Sequence, residues 1–243
     1  MTSLGPPSAN RQAALFLDVD GTLVGIAATP NVVKVPGDLT PLLERTSAAL
    51  GGALAVISGR TIAAIDALTA PVRLPAAGVH GAELRLQPGG AIVATAPKIE
   101  PDLVAAVRAA VGERPGLLVE EKTYSVAVHY RLCPDERPRI EAALRDLLRD
   151  GPDDVVLARG RKIIEVTPRL ATKGGALLAF MREAPFAGRR PIMIGDDATD
   201  ESAMAAARGL GGAGFKVAGE HFPAADADFP DPAAVRAWLR TLA

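Results

Sequence analysis

An α/β fold built on a parallel sheet, interrupted by a second domain of the α+β kind, is the architecture this sequence predicts. Three observations carry the prediction. Short apolar runs alternate with helical patterns from Ala14 to Val79 and again from Thr172 to Val217, as in strands paired in parallel and joined by helices. Polar residues follow directly after several of those runs, where open α/β sheets bind their ligands. Between the two halves lies a stretch in which an amphipathic helix followed by two short strands occurs twice.

Composition sets the outer limits. With 243 residues, 49% of them hydrophobic and 23% charged, the chain can bury a large core or a core plus a smaller domain. A net charge of −1 gives no case for a nucleic-acid or membrane-surface footprint. The single cysteine, Cys133, excludes an internal disulfide and fits a reducing compartment. Residues 1–11 hold no apolar core suited to a signal sequence and read as a frayed start around Pro6-Pro7. No run approaches a membrane span, so a cytoplasmic protein is expected.

The first strand, Ala14-Leu15-Phe16-Leu17, is apolar throughout and reads as buried on both faces. It runs into Asp18-Val19-Asp20-Gly21-Thr22. If strand geometry holds through Asp20, both carboxylates project to the same side at the strand's carboxyl end, and Gly21 supplies a sharp turn. Carboxylates about 4 Å apart repel by roughly 4 kcal/mol at an effective dielectric of 20, so the pair needs a cation, a shared proton or open solvent. A solvated turn is the alternative for an isolated Asp-x-Asp-Gly.

Residues 25–37, with Pro30 and Pro36, read as irregular. Thr40-Pro41 reads as an N-cap and first helical residue ahead of Leu42, Leu43, Thr46 and Leu50, and Gly51-Gly52 ends that helix. A second strand, Ala53–Ile57, leads to Ser58-Gly59-Arg60. A helix over 61–69 follows, then a strand from Leu74 to Val79 that ends in Gly78-Val79-His80-Gly81. Residues 82–96 break the alternation: Leu84-Arg85-Leu86 and Ala91-Ile92-Val93 flank Pro88-Gly89-Gly90 as a hairpin.

The inserted domain is placed at 98–168, leaving 1–97 and 169–243 as the main domain. Leu103, Ala106, Val107, Ala110 and Val111 show the helical i, i+3, i+4, i+7, i+8 spacing, and Ile140, Ala143, Leu144, Leu147 and Leu148 repeat it. Strands are expected at 117–122, 124–131, 155–160 and 162–168. Alternation turns Leu117, Val119, Ile164 and Val166 toward the helices. It leaves Leu118, Glu120, Lys122, Ile163, Glu165 and Thr167 on an open face, which is either merely solvated or laid over the Asp18 site.

The main domain resumes with a helix from Thr172-Lys173-Gly174-Gly175 to about Glu183 and a buried strand, Pro191–Ile194. That strand ends in Gly195-Asp196-Asp197-Ala198-Thr199-Asp200-Glu201. Thr199 reads as an N-cap with Asp200 and Glu201 in the first turn, a capping role that leaves Asp196 and Asp197 unexplained. Phe215-Lys216-Val217 is the last strand. Asp231-Pro232 starts the last helix, with Val235, Trp238, Leu239 and Leu242 on its core face.

Separate strand and helix ends thus deliver Asp18 and Asp20, Ser58, Lys173, and Asp196, Asp197 and Asp200 to one rim. An all-oxygen set without a histidine or cysteine cluster points to Mg²⁺ rather than zinc. A lysine and a serine hydroxyl beside such an ion make a phosphoryl-binding set, and a carboxylate nucleophile there would divide hydrolysis into two steps.

Asp18-Val19-Asp20-Gly21-Thr22-Leu23, Ser58-Gly59-Arg60, Lys173 and Gly195-Asp196-Asp197 resemble the four ordered motifs of the haloacid dehalogenase superfamily of phosphotransferases. Within it, the chain resembles the trehalose-6-phosphate phosphatases from residue 14 onward. The narrower resemblance rests on Gly78-Val79-His80-Gly81-Ala82-Glu83, on Glu120-Glu121-Lys122 with Ser125 to Arg131, and on Gly195 to Glu201. Val19, where that subfamily usually has an aromatic residue, and Glu121, where it often has aspartate, depart from the pattern.

The resemblance implies a Rossmann-like core with an inserted αββαββ cap and hydrolysis of trehalose 6-phosphate through an aspartyl-phosphate. It implies Asp18 as nucleophile, Asp20 as acid and base, and Ser58 and Lys173 on the phosphoryl oxygens. Mg²⁺ would be held by Asp18, the Asp20 carbonyl and Asp196, with Asp197 and Asp200 in support. Glu120, Lys122 and Glu165, together with Arg60 and His80, would contact the sugar phosphate. A monomer with a functional link to a trehalose-6-phosphate synthase is expected. The alternatives are a phosphatase of sucrose phosphate, mannosyl-phosphoglycerate or a hexose phosphate, a phosphomutase, and a non-catalytic sensor.

Overall fold

The computed structural model describes residues 10–26, 33–149, 151–160 and 162–243; Pro6-Pro7 and Pro30 lie outside them. The chain divides into two compact units, one running to Val93 and resuming over Thr172–Ala243, the other Ala94–Ala171. The junctions expected from sequence fall at 98 and 168. Among the described residues no helix is long and apolar enough to cross a membrane.

In chain order the elements begin with β1 (Ala13–Leu17), α1 (Leu39–Ala49), β2 (Leu54–Ile57), α2 (Ile62–Thr69), β3 (Ala76–Gly78), β4 (Glu83–Arg85) and β5 (Val93–Ala94). There follow α3 (Pro101–Val111), β6 (Leu118–Glu121), β7 (Val126–His129), α4 (Arg137–Arg149), β8 (Val155–Gly160) and β9 (Ile163–Pro168). The last elements are α5 (Lys173–Phe180), β10 (Arg190–Gly195), α6 (Glu201–Gly209), β11 (Ala213–Lys216) and α7 (Pro232–Arg240).

The first unit's sheet has the order β11-β10-β1-β2-β3-β4-β5. β11 through β3 are parallel, and β4 adds antiparallel to β3. The expected hairpin therefore extends this sheet. β1 is central because both its faces are apolar. Leu15 and Leu17 join Leu54, Val56, Ile192 and Ile194 in a layer packed with α1 and α7 residues. Ala14 and Phe16 join Ala55, Ile57 and Met193 in a second layer with α5 and α6 residues. There the Phe16 ring lies 5.5 Å from Phe186 and 5.8 Å from Phe180, centroid to centroid. Alternation along each strand puts one residue into each layer in turn.

Several boundaries differ from the expectation, three of them at helix or strand ends near the core. α1 opens at Leu39 after Asp38, so Thr40 is its second residue and not its cap; burial of Leu39 draws the first turn toward the core. α5 ends at Phe180 rather than Glu183, beyond which the chain continues in turns. β3 ends at Gly78, because Val79 and His80 take positive φ values of 45° and 57° that no strand accommodates.

The second unit is an antiparallel sheet of order β6-β7-β9-β8 with α3 and α4. Its core holds Val107, Val111, Ile140, Leu144, Val128, Ile164 and Val166, with Leu117 and Val119 partly buried against it. On α3 the most buried face is Val104, Val107 and Val111. The alternate positions form cross-strand rows on the opposite face, one of which reads Glu120, Ala127, Glu165, Ala158 across the four strands.

Candidate active site

β1 hydrogen-bonds in parallel to β10, so the ends of both strands bring their following residues together. The Asp18 N–H still reaches the Ile194 carbonyl at 3.0 Å. Beyond it the chain folds into a turn in which the N–H groups of Thr22, Leu23 and Val24 all point to the Val19 carbonyl. Strand geometry therefore stops before Asp20, and the two-residue alternation that would have paired the carboxylates of Asp18 and Asp20 no longer applies. The Asp20 side chain, 35% exposed, accepts both arms of the Arg60 guanidinium instead, at 2.5 Å from Nε to Oδ2 and 2.7 Å from Nη2 to Oδ1.

The carboxylates that do converge are those of Asp18, Asp196 and Asp200, all buried, with one oxygen of each lying within 4.8 Å of the others. Lys173, the first residue of α5, is equally buried. Its Nζ donates to Asp18 Oδ1 at 2.7 Å and to Asp200 Oδ1 at 2.6 Å. Thr172 caps that helix through the Gly175 N–H, which fixes where the lysine leaves the backbone. The Thr22 hydroxyl donates to Asp196 Oδ1 at 3.3 Å.

Asp200 shapes the loop as well as the cluster. Its Oδ2 accepts from the N–H groups of Asp196 and Asp197, both at 3.0 Å. Asp197 is the residue that caps this turn, in a reciprocal capping box with Asp200. The cap expected at Thr199 thus sits two residues earlier, and capping accounts for Asp197. Two glycines make the close packing possible. A Cβ on Gly21, whose φ is +87°, would lie 2.1 Å from Asp196 Oδ2, and one on Gly195 would lie 2.2 Å from the Asp200 carboxyl carbon.

The electrostatics follow from burial. Desolvation pushes the Asp18 carboxyl well above the ordinary aspartate range, with the Lys173 ammonium pulling the other way and Asp200 and Asp196 adding to the rise. Burial, then the Asp200 carboxylate, pushes Asp196 up to about 7. Burial also opposes the Lys173 charge, but Asp18 and Asp200 outweigh it and hold the ammonium above the ordinary lysine value. When all are ionised, three carboxylates facing one ammonium leave two negative charges unbalanced.

That donor set fits a divalent ion with hard-oxygen preference. Ligands on opposite sides of a magnesium ion stand about 4 Å apart, at about 2.1 Å each from the metal, and the three carboxylate oxygens, within 4.8 Å of one another, need only a small shift to reach that span. Chelating nitrogen or sulfur groups are not part of the cluster.

Ser58 lies buried at the end of β2, its N–H on the Ala77 carbonyl and its Oγ accepting from the Arg60 N–H at 3.2 Å. His80 stands on the turn after β3. Its N–H donates to the Ser58 carbonyl at 3.0 Å, and its ring lies where a Cβ on Gly59 would come within 2.8 Å.

In the second unit, Glu165 is buried and accepts at one oxygen from Ser125 Oγ at 2.5 Å and from Lys122 Nζ at 3.0 Å. Glu120 pairs with His129 Nε2 at 2.8 Å, and that hydrogen bond holds its carboxyl below the ordinary glutamate range. Sequence reasoning did not single out Thr22, Ser125 or His129. All three lie inside the motif runs, and the sheet alternation that selected Lys122 would have placed Ser125 and His129 on the same face.

A model of the trehalose-phosphatase family matches residues 16–224. The chain is 42% identical to a probable trehalose-phosphate phosphatase of Sinorhizobium fredii over 234 residues, which is 95% of this chain and 87% of that one. It is 38% identical to the trehalose-6-phosphate phosphatase of Escherichia coli over 212 residues, covering 87% and 79% of the two chains. Among solved structures, the C-terminal domain of C. albicans trehalose-6-phosphate phosphatase superposes with a TM-score of 0.82 at 21% identity, covering 96% of this chain and 92% of that one. The motif-bearing segments described above all lie within the matched span, and this chain belongs to the trehalose-phosphatase family.

Proposed function

We propose that this enzyme hydrolyses trehalose 6-phosphate to trehalose and inorganic phosphate, with Asp18 as nucleophile and magnesium as its ion. The observation that carries the reading is the buried group of Asp18, Asp196, Asp200 and Lys173 at the joined ends of β1 and β10, in a chain of this family. Asp18, Asp196 and the backbone carbonyl of Asp20 would hold the ion, supported by Asp197 and Asp200. When bound, it supplies Lewis-acid polarisation of the phosphoryl oxygens and offsets the surplus negative charge.

Lys173 engages Asp18 Oδ1, which leaves Oδ2 to attack phosphorus. The bond from phosphorus to the sugar oxygen breaks, and that oxygen takes its proton from Asp20. The same carboxylate then removes a proton from the water that attacks the aspartyl-phosphate, so Asp18 and inorganic phosphate are released. Ser58 accepts from the Arg60 N–H, and its own hydroxyl proton is free to bind a phosphoryl oxygen. The insert acts as the specificity domain. Glu120, Lys122 and Glu165 hydrogen-bond sugar hydroxyls, and the pairings of Glu165 with Ser125 and of Glu120 with His129 hold the acceptors in place.

Release of inorganic phosphate from a panel of phosphorylated sugars, with magnesium and with excess chelator, tests the reading. Trehalose 6-phosphate should be hydrolysed fastest, and chelation should abolish the activity. Equal turnover of sucrose phosphate or a hexose phosphate would overturn the substrate, and full activity in chelator would overturn the metal.

A further inference from the structure

Arg60 reads from the sequence as a contact for the sugar phosphate, but its guanidinium is engaged by the Asp20 carboxylate. Both of its bonds to Asp20 are short, and the two together form the fork that fixes a carboxylate's plane as well as its position. Arg60 is only 13% exposed, so the pair is more than a loose surface contact. It also has a consequence for charge. Asp20 follows Asp18 by two residues, yet its side chain lies outside the group formed by Asp18, Asp196 and Asp200. A fourth carboxylate turned into that group would add repulsion to a site already rich in negative charge.

The loop that carries Arg60 is braced by a strained turn. Val79 and His80 have φ of 45° and 57°, and Gly81 follows at 117°. A β-branched residue in the left-handed region persists only where its surroundings impose it. Here the turn's hydrogen bonds go to the Arg60 loop: the Val79 N–H to the Arg60 carbonyl at 2.9 Å and the His80 N–H to the Ser58 carbonyl at 3.0 Å. The His80 ring packs against Gly59, and Glu83 accepts from the Ile62 N–H at 2.7 Å just beyond the loop. The backbone strain is thus spent on holding Ser58-Gly59-Arg60 still.

We propose that Arg60 is a positioning residue for Asp20, keeping its carboxylate apart from the Asp18–Asp196–Asp200 group and oriented toward the leaving sugar oxygen. The inference rests on the assignment of Asp20 as acid and base. In turnover, Asp20 exchanges one of its two bonds to Arg60 for the leaving oxygen and keeps the other, so its orientation persists.

A double-mutant cycle on the full-length enzyme separates this from the rival roles. Arg60→Met should lower kcat for trehalose 6-phosphate by about 10–100-fold, a part of the roughly 10²–10⁴-fold that a general acid–base group contributes, while KM changes by less than about 2-fold. Arg60→Lys, which keeps the charge but loses the fork, should fall between wild type and Arg60→Met. In an Asp20→Ala background, Arg60→Met should cost nothing further. A rise in KM with unchanged kcat would make Arg60 a substrate contact and overturn the proposal. So would losses that multiply across the cycle, or a thermal shift that accounts for the loss and persists in Arg60→Lys. Wild-type kcat in Asp20→Ala alone would instead overturn the role of Asp20, a different outcome from independent losses in the two variants.

Discussion

The buried group at the end of β1 and the polar face of the insert's sheet are both carboxylates served by one lysine, yet they are built in opposite ways. Asp18, Asp196, Asp200 and Lys173 come from stretches far apart in the chain, and Lys173 bridges only two of the three acids. Glu165 and Lys122 come from neighbouring parts of one small sheet and form a balanced pair completed by the Ser125 hydroxyl. The first group is an unfinished charge arrangement, held together by the parallel sheet and by glycines that leave no room for a side chain. The second is complete in itself. On the proposed function, imbalance in the first group favours recruitment of a cation and an anionic substrate, and acceptors already fixed in place in the second favour recognition of a sugar.

The largest expected effect breaks the first group at its nucleophile. Asp18→Asn keeps the shape and removes the attacking oxyanion, so phosphate release should fall by at least about 10³-fold, on the order of 4 kcal/mol in barrier. Thermal stability should hold or rise, since the change removes a carboxylate that burial already disfavours. Near-normal turnover would remove Asp18 from the mechanism.

Next comes the recognition face. Alanine at Glu165 or Lys122 should lower kcat/KM for trehalose 6-phosphate by about 10–10³-fold, the equivalent of one to three polar contacts, with little effect on a small aryl phosphate. Because the structure pairs these two side chains, each substitution also removes a charged hydrogen bond and should cost about 1 kcal/mol of stability. Glu120→Ala, at a more exposed position, should show the catalytic loss with a smaller stability loss. Equal losses on both substrates would make the face structural.

The imbalance itself can be read as a pH dependence. In chelated protein, folded Asp196 keeps its proton up to about pH 7, whereas an unfolded aspartate releases it near its ordinary value of 3.8. Between those values the folded state binds more protons, so stability should fall as pH rises from about 4 to about 7 and level off above. The drop in unfolding free energy should be a few kcal/mol. Magnesium should reverse it most strongly at the upper end of that range, and Asp196→Asn should flatten the slope. Thermal melts across pH, with and without magnesium, check this, and a pH-independent melt would refute the charge imbalance.

The smallest effect lies outside both regions. Asp231 caps α7 by accepting from the Ala234 N–H at 2.8 Å, so Asp231→Ala should cost about 1 kcal/mol, while Thr40→Ala, inside α1 and not at its cap, should change stability by less than about 0.5 kcal/mol. Equal losses in the two melts would mean that Thr40 caps after all.

Much of this molecule was legible in the order of its residues. Periodicity alone located the alternating strands and helices, the repeated helix-strand-strand unit, and the core-facing Ile164 and Val166 of β9, because burial on one face leaves a period of two or 3.6 in any chain that folds this way; Glu165 and Thr167, expected on an open face, are buried instead. The ends of apolar runs likewise pointed to Asp18, Ser58 and Asp196, since a strand that stops at a sheet rim must hand over to polar residues. Other features belong to the tertiary structure. The side chain of Asp20 depends on where the turn after Leu17 leaves strand geometry, and on an arginine forty positions away. The place of Asp200 in the acid group depends on a capping box, which also took the cap from Thr199 to Asp197. The pairing of Lys122 with Glu165 depends on β6 and β9 flanking β7, across which the two side chains meet. Local pattern reports which way a residue faces. Which partner it meets there is decided by register and by the handover between elements, and those are settled only when distant segments pack.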